Sequence, residues 1–305
     1  MTLSCLGLAG VWMGVSNQAG PRFFRGFLAE LGRAVLPPAN RPTPELWNTN
    51  TISASWLGHS TVLVNFYGLT ILTDPVLFRR IGANLKIGTV GPKRMIDAAL
   101  TPEELPDIDI ILLSHAHMDH LDLPSLHCFS RATRVVTAHN TADLLAPTQL
   151  RAHCTELKWG EKAKIITPRG DAIVQAFEVN HWGARWRHDS YRGYNGYVIE
   201  REGRKIIFGG DTAWTSTFRP LRGRGGYELA IMPIGSYKPW IWCHCNPEQA
   251  VSMANDSGAK YILPVHFQTF ALGREPRHEP MERLRKCIEP ERIALSEIGE
   301  TFVCN

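Results

Sequence analysis

Nine residues from Ser114 to Asp122 read SHAHMDHLD and place His115, His117, Asp119 and His120 within six positions. Imidazole and carboxylate without thiolate are ligands for zinc, iron or manganese. In extended chain, residues two apart point the same way, so His115 and His117 can share one ion; a turn afterwards lets Asp119 and His120 face a second. A solvated or tag-like histidine tract would lack the acidic member, and would lack the apolar run Ile108 to Leu113 that reads as a buried strand leading into it. Such a site needs more ligands. His181 after residues 172–179, Asp211 after 205–208 and His266 after 261–265 each repeat the theme of a His or Asp at the end of an apolar strand. Taken singly, Asp211 after Gly209-Gly210 reads as a turn former and a lone His as a satisfied core residue. Their shared place at strand ends, where layered α/β folds collect their sites, makes all three candidate ligands.

The elements that must position these residues can be followed along the chain. Strands are predicted at 52–57, 61–66 and 69–73, a meander with turns at Gly58 and Tyr67-Gly68 that ends at Asp74-Pro75. Thr101 and Pro102 start a short helix. After the strand at 108–113, the pattern predicts a helix over 123–129, a strand at 134–138 and a short helix at 142–145. Further strands are expected at 163–167, 172–179, 197–200, 204–208, 228–234, 261–265 and 292–295. Asn246-Pro247-Glu248-Gln249 supplies an N-cap, a Pro in the first turn and a capping-box Gln for a helix to about Asp256. Strands interspersed with helices, a meander first and no long-period repeat point to an α/β fold, a four-layer αββα sandwich in one domain. The prolines at 37, 38, 42 and 44 mark residues 1–50 as an N-terminal arm and linker, and 51–305 as the main domain.

The bulk numbers narrow the partners. With 305 residues, 44% hydrophobic content and a formal charge of +4, the chain has the composition of an ordinary globular protein, too weakly basic to argue for nucleic acid. Its seven cysteines are odd in number and scattered, which suits reduced thiols in the cytoplasm. Cys243-His244-Cys245 is a poor chelating spacing and reads as buried structural thiols. Residues 1–16 are apolar but lack the basic start of a signal peptide and are too short to span a bilayer. Residues 21–36 carry an apolar helical face with Arg22, Arg25 and Arg33 elsewhere, which fits a helix packed on the domain and, as a second reading, peripheral contact with a membrane. A homo-oligomer is compatible with all of this.

SHAHMDHLD followed by separate His, GDT and His motifs resembles the metallo-β-lactamase superfamily. WLGHSTVLV at 56–64, LTDPVL at 72–77, GPKR at 91–94, NHW at 180–182, FGGDT at 208–212, MPIGSYKP at 232–239, NPEQAV at 246–251 and PVHFQTFALGREP at 264–276 resemble its N-acylphosphatidylethanolamine-hydrolysing phospholipase D branch. The resemblance implies an αββα sandwich with two divalent metal ions, zinc being the expectation. His115, His117 and His181 would hold one ion, Asp119, His120 and His266 the other, with Asp211 bridging. It further implies that Asp74 orients a ligand imidazole, and that His244 contacts substrate or leaving group, so that Asp119, Asp211 and His244 form the catalytic set. Two loops depart from the animal enzyme's pattern: RHDSYRGYNGYVIE at 187–200 and WIWCHC at 240–245.

The expected activity is therefore a zinc-dependent, phospholipase D-like phosphodiesterase acting on N-acyl ethanolamine phospholipids or similar lipids. The alternative is hydrolysis of another ester, a lactone, sugar phosphate or nucleotide, on the same fold. Arg185, Arg187 and Arg192 are candidates for holding an anionic head group. Oxygen-reducing di-iron relatives usually replace a His of the first motif with Glu and add a flavin domain, neither of which is present. A non-catalytic binding module would have lost ligands, and all seven are intact. A nuclease would usually carry a basic stripe or an inserted domain.

Overall fold

The computed structural model describes residues 32–85, 88–186 and 188–304. The meander forms as its alternation and turns require, with β1 (Ile52–Gly58), β2 (Thr61–Phe66) and β3 (Leu69–Thr73) antiparallel and buried throughout. A small hairpin follows, β4 (Ala83–Leu85) with β5 (Gly88–Val90). Then come β6 (Ile110–Leu113), the one-turn helix α1 (Leu123–Leu126), β7 (Arg134–Ala138), β8 (Cys154–Leu157), β9 (Lys162–Thr167), β10 (Gly170–Phe177), β11 (Gly196–Arg201), β12 (Arg204–Phe208) and β13 (Tyr227–Pro233). Helix α2 (Pro247–Ser257), β14 (Ala259–Val265), helix α3 (Glu279–Cys287) and β15 (Thr301–Cys304) complete the chain.

Two sheets result, in the orders β15-β1-β2-β3-β6-β7-β8 and β14-β13-β12-β11-β10-β9. One hydrophobic core joins side chains of both, Trp56, Leu63, Ile111 and Val136 from the first with Val174, Ile199, Ile207 and Leu229 from the second. Helix α2 covers β13 and β14 with Ala250, Met253 and Ala254, and α3 packs beside it through Met281 and Leu284. The chain is thus an α/β sandwich of two mixed sheets flanked by helices. On the side of the first sheet the outer layer is thin, made of α1 and short 3-10 turns at Pro102–Glu104, Ala142–Leu145 and Gln149–His153.

Several expectations are corrected. The helix expected over 123–129 stops at Leu126, because the amides of Cys128 and Phe129 bond to residues three back and tighten the turn. Residues 292–295 form no strand: Ile293 makes a single bridge to Ile262 beside β14 after the 3-10 turn Pro290–Arg292. Strands β8 and β15 and helix α3 were not expected. Both strands lie at an edge of the first sheet and are only four residues long. Residues 36–40 run along the domain, with the Leu36 amide donating to the Met95 carbonyl at 2.9 Å and the Asn40 amide to Ile298 at 3.2 Å. The apolar stretch 1–16 and most of 21–36 lie outside the described residues. Among the described residues, no helix is long and apolar enough to cross a membrane, and the six cysteines are thiols.

Strand direction gathers the site. β3, β6 and β7 run parallel, as do β12, β13 and β14, and the antiparallel steps return β1 and β10 to the same sense. Their carboxyl ends therefore share one rim of the sandwich. His59, Asp74, the 115–120 cluster, His181, Asp211 and His266 each follow one of those ends.

Candidate metal centre

The first cluster is built around three imidazoles. His115 Nε2 lies 2.7 Å and His181 Nε2 3.3 Å from His117 Nδ1. The other nitrogens of His115 and His181 are already committed. Ser114 Oγ donates its proton to Asp74 Oδ2 at 2.6 Å, so at 2.8 Å it can only accept from His115 Nδ1–H. His181 Nδ1–H donates to the Cys243 carbonyl at 2.8 Å. Both rings therefore turn bare lone pairs toward His117 Nδ1, an arrangement that one divalent cation satisfies.

The second cluster lies beside it. His120 Nδ1–H donates to Asp74 Oδ2 at 2.6 Å, which turns Nε2 toward Asp211 Oδ2 at 3.1 Å and Asp119 Oδ2 at 3.5 Å. His266 Nε2 is 3.2 Å from Asp211 Oδ2 and 3.6 Å from Asp119 Oδ2. Asp211 is central: the same Oδ2 also lies 3.8 Å from His181 Nε2 and 4.0 Å from His115 Nε2, between the two clusters. Gly210 delivers it. At φ +58° its position favours glycine, and a Cβ there would stand 2.8 Å from the Ser114 Cβ.

The donor set fits metal ions on the protein's own account. Asp211 is buried, yet neither of its carboxylate oxygens has a hydrogen-bond partner among the described residues, nor do His120 Nε2 and His266 Nε2. Leaving a buried carboxylate bare is costly unless a cation compensates it. Burial alone would raise the Asp211 and Asp119 carboxyls, but the surrounding imidazoles, His120 foremost, hold both well below the usual range. Burial, with neighbouring imidazoles, lowers His117 to about 3 and keeps His115 far below its ordinary value. Burial likewise lowers His181 to about 4, against the opposing pull of Asp211. For His266, burial is outweighed by Asp211 and Asp119, which raise it to about 9. Asp74, fully buried with φ +31°, accepts from the Ser114 amide as well and acts through Ser114 and His120 on both clusters.

All seven expected ligands are brought together. His244 lies beside them, its Nδ1 3.8 Å from Asp211 Oδ2 and its ring 5.1 Å from those of both His181 and His266. Burial holds it well below the ordinary imidazole range. A cavity of about 340 Å³ opens onto His117, Asp119, Asp211, His244 and His266, walled by Trp182, Trp240, Trp242, Met118 and Leu272. Arg185 also lines it, while its guanidinium rivets the metal loop by donating to the Ala116 and Leu121 carbonyls at 3.1 and 2.8 Å. Arg192 is a correction. Its guanidinium pairs with Asp189 at 2.7 Å and Asp143 at 2.5 Å, so it holds a loop together and is not offered to an anion in the cavity. Arg187 lies outside the described residues. The Cys245 thiol donates to the Pro233 carbonyl at 3.1 Å, a structural role. Sequence reasoning missed His59, whose Nε2–H donates to Asp119 Oδ2 at 3.0 Å. Its place at the end of β1 was the available signal. The carbonyl of Cys243 carried none.

The fold and this cluster define a metal-dependent hydrolase of the metallo-β-lactamase type. The beta-lactamase superfamily domain matches residues 70–267, and the chain belongs to that superfamily. It is similar to the N-acyl-phosphatidylethanolamine-hydrolyzing phospholipase D 1 of Caenorhabditis elegans, 28% identical over 276 residues, 84% of this chain and 75% of that one. An uncharacterized protein of Mycobacterium tuberculosis is 30% identical over 274 residues, 85% of this chain and 70% of the relative. Among solved structures, a metallo hydrolase from Ignicoccus hospitalis superposes with a TM-score of 0.62 at 18% identity, covering 84% of this chain and 99% of that one.

Proposed function

We propose that the chain is a two-ion phosphodiesterase of phospholipase D type, acting on N-acylated ethanolamine phospholipids. The observation that carries this reading is the position of Asp211 between two histidine clusters at the floor of a tryptophan-walled cavity. His115, His117 and His181 would hold one ion and Asp119, His120 and His266 the other, with Asp211 within reach of both clusters; imidazole and carboxylate donors suit zinc. Bound divalent ions would lower the pKa of water and neutralise charge on phosphoryl oxygens. Asp211 and Asp119 stay ionised, so the cluster keeps its anionic share at neutral pH. In the reaction the water oxygen bonds to phosphorus, the bond from phosphorus to the ethanolamine oxygen breaks, and that oxygen leaves as an alcohol carrying a proton from water. His244 is neutral and stands over Asp211, where it hydrogen-bonds an ester oxygen and orients the phosphate without acting as a strong acid. Trp182, Trp240 and Trp242 supply an apolar wall for acyl chains. Trp186, Ile241 and Trp242 are exposed and suit a substrate drawn from a lipid surface.

The test is release of phosphatidic acid from such a lipid by metal-loaded protein. Asp211→Ala and His115→Ala should fall to background and chelation should abolish turnover; an unchanged rate in either variant refutes the reading. Hydrolysis of a lactone or sugar phosphate with none of the diester would replace it by another hydrolase of the same fold.

A further inference from the structure

Of the carboxylates in the centre, Asp211 is 1% exposed while Asp119 is 17% exposed. Asp119 rises from a loop and its rotamer needs an outside restraint, because a ligand oxygen free to swing loses entropy on every binding event. His59 supplies a fixed donor at 3.0 Å from Asp119 Oδ2. The ring itself is immobilised. Its residue is 1% exposed at φ +52°, its amide donates to Thr269 Oγ1 at 2.6 Å, and its carbonyl accepts from Trp56 Nε1 at 2.8 Å and from the His266 amide at 2.9 Å. The ring packs against His266 with centroids 4.2 Å apart and meets Phe270 edge-on at 5.2 Å. Behind Phe270, the buried Arg94 guanidinium stacks at 5.3 Å and bonds the carbonyls of Val76 and Phe78. The β1–β2 turn is thereby stitched both to the Asp119 side chain and to the His266 backbone.

We propose that His59 is a positioning residue: its Nε2–H fixes the Asp119 carboxylate, so that the ion held by Asp119, His120 and His266 is bound selectively through the β1–β2 turn. This rests on the two-ion reading of the site but not on the substrate. Ligand-orienting partners of this kind are worth about 10–100-fold in metal affinity. His59→Phe keeps the ring packing and removes the donor, whereas His59→Gln can restore an N–H toward Asp119.

The experiment titrates wild type and both variants with zinc against a chromophoric chelator, records the visible spectra of the cobalt(II) forms, and follows thermal unfolding. The phenylalanine variant should bind one ion as wild type does and the other about 10–100-fold more weakly, with an altered cobalt spectrum. The glutamine variant should recover most of the affinity. Two ions bound with native affinity by the phenylalanine variant would overturn the assignment, as would a folded glutamine variant no better than the phenylalanine one. Should the phenylalanine variant fail to fold, His59→Leu takes its place: one ion bound about 10–100-fold more weakly supports the role, and native affinity for both ions removes it. A wild type that holds a single ion would defeat the two-ion reading itself.

Discussion

Asp74→Asn perturbs both clusters from one buried position without changing shape. The carboxylate accepts three hydrogen bonds, from the Ser114 amide at 2.7 Å, Ser114 Oγ at 2.6 Å and His120 Nδ1 at 2.6 Å. An amide oxygen can keep the first. Its NH2 then replaces the oxygen that faces both Ser114 Oγ and His120 Nδ1–H, so a donor meets a donor at His120. Losing one hydrogen bond to a charged acceptor costs about 2 kcal/mol. At about 1.4 kcal/mol per tenfold, that is a roughly 30-fold loss of affinity for the ion bound through His120. The cluster of His115, His117 and His181 is touched only through Ser114 and should weaken less. Zinc competition resolves the two affinities, and circular dichroism checks that the chain is folded. A variant with native affinity at both sites would show that Asp74 does not orient His120, and the argument from its three bonds would be wrong.

Two further outcomes follow from the same contacts. Trp242→Ala should raise KM for a long-chain lipid about tenfold, since losing about 60 Å² of apolar contact at ~25 cal/mol/Å² is roughly 1.5 kcal/mol; a short-chain soluble diester should be unaffected, and equal effects on both in steady-state kinetics would place the acyl chains elsewhere. The Arg192 guanidinium holds the Asp143 carboxyl below the usual carboxylate range. A lowered folded-state pKa means that the stabilisation is full above the unfolded value near 3.9 and is lost as pH falls through the folded one. Because the Asp143 side chain is 60% exposed, Asp143→Asn should cost less than about 1 kcal/mol at pH 7 and nothing near pH 2 by urea unfolding. A gap that widened on acidification would contradict the pairing.

The sequence by itself determined the ligand types and the strands that carry them. His115, His117, Asp119 and His120 are local, and an apolar run ending in a His or Asp states its own place at a strand end, which made His181, Asp211 and His266 legible together as candidate ligands, though not singly. Turn chemistry did the same for the meander and for the capped helix α2. Edge strands β8 and β15 escaped because four residues are too few to show a period, and helix α3 because its apolar positions are few among charges. Tertiary structure alone decided which side chains face the site. His59 reaches Asp119 across 60 residues of sequence, and the Cys243 carbonyl orients His181 across 62. Arg185 and Arg192 looked alike in the sequence. Only the folded loop gives one to the cavity wall and metal loop and the other to Asp189 and Asp143. The reason is physical: side-chain period and turn preference are properties of neighbouring residues, whereas a hydrogen bond from a distant turn depends on which strand ends the order of each sheet brings together.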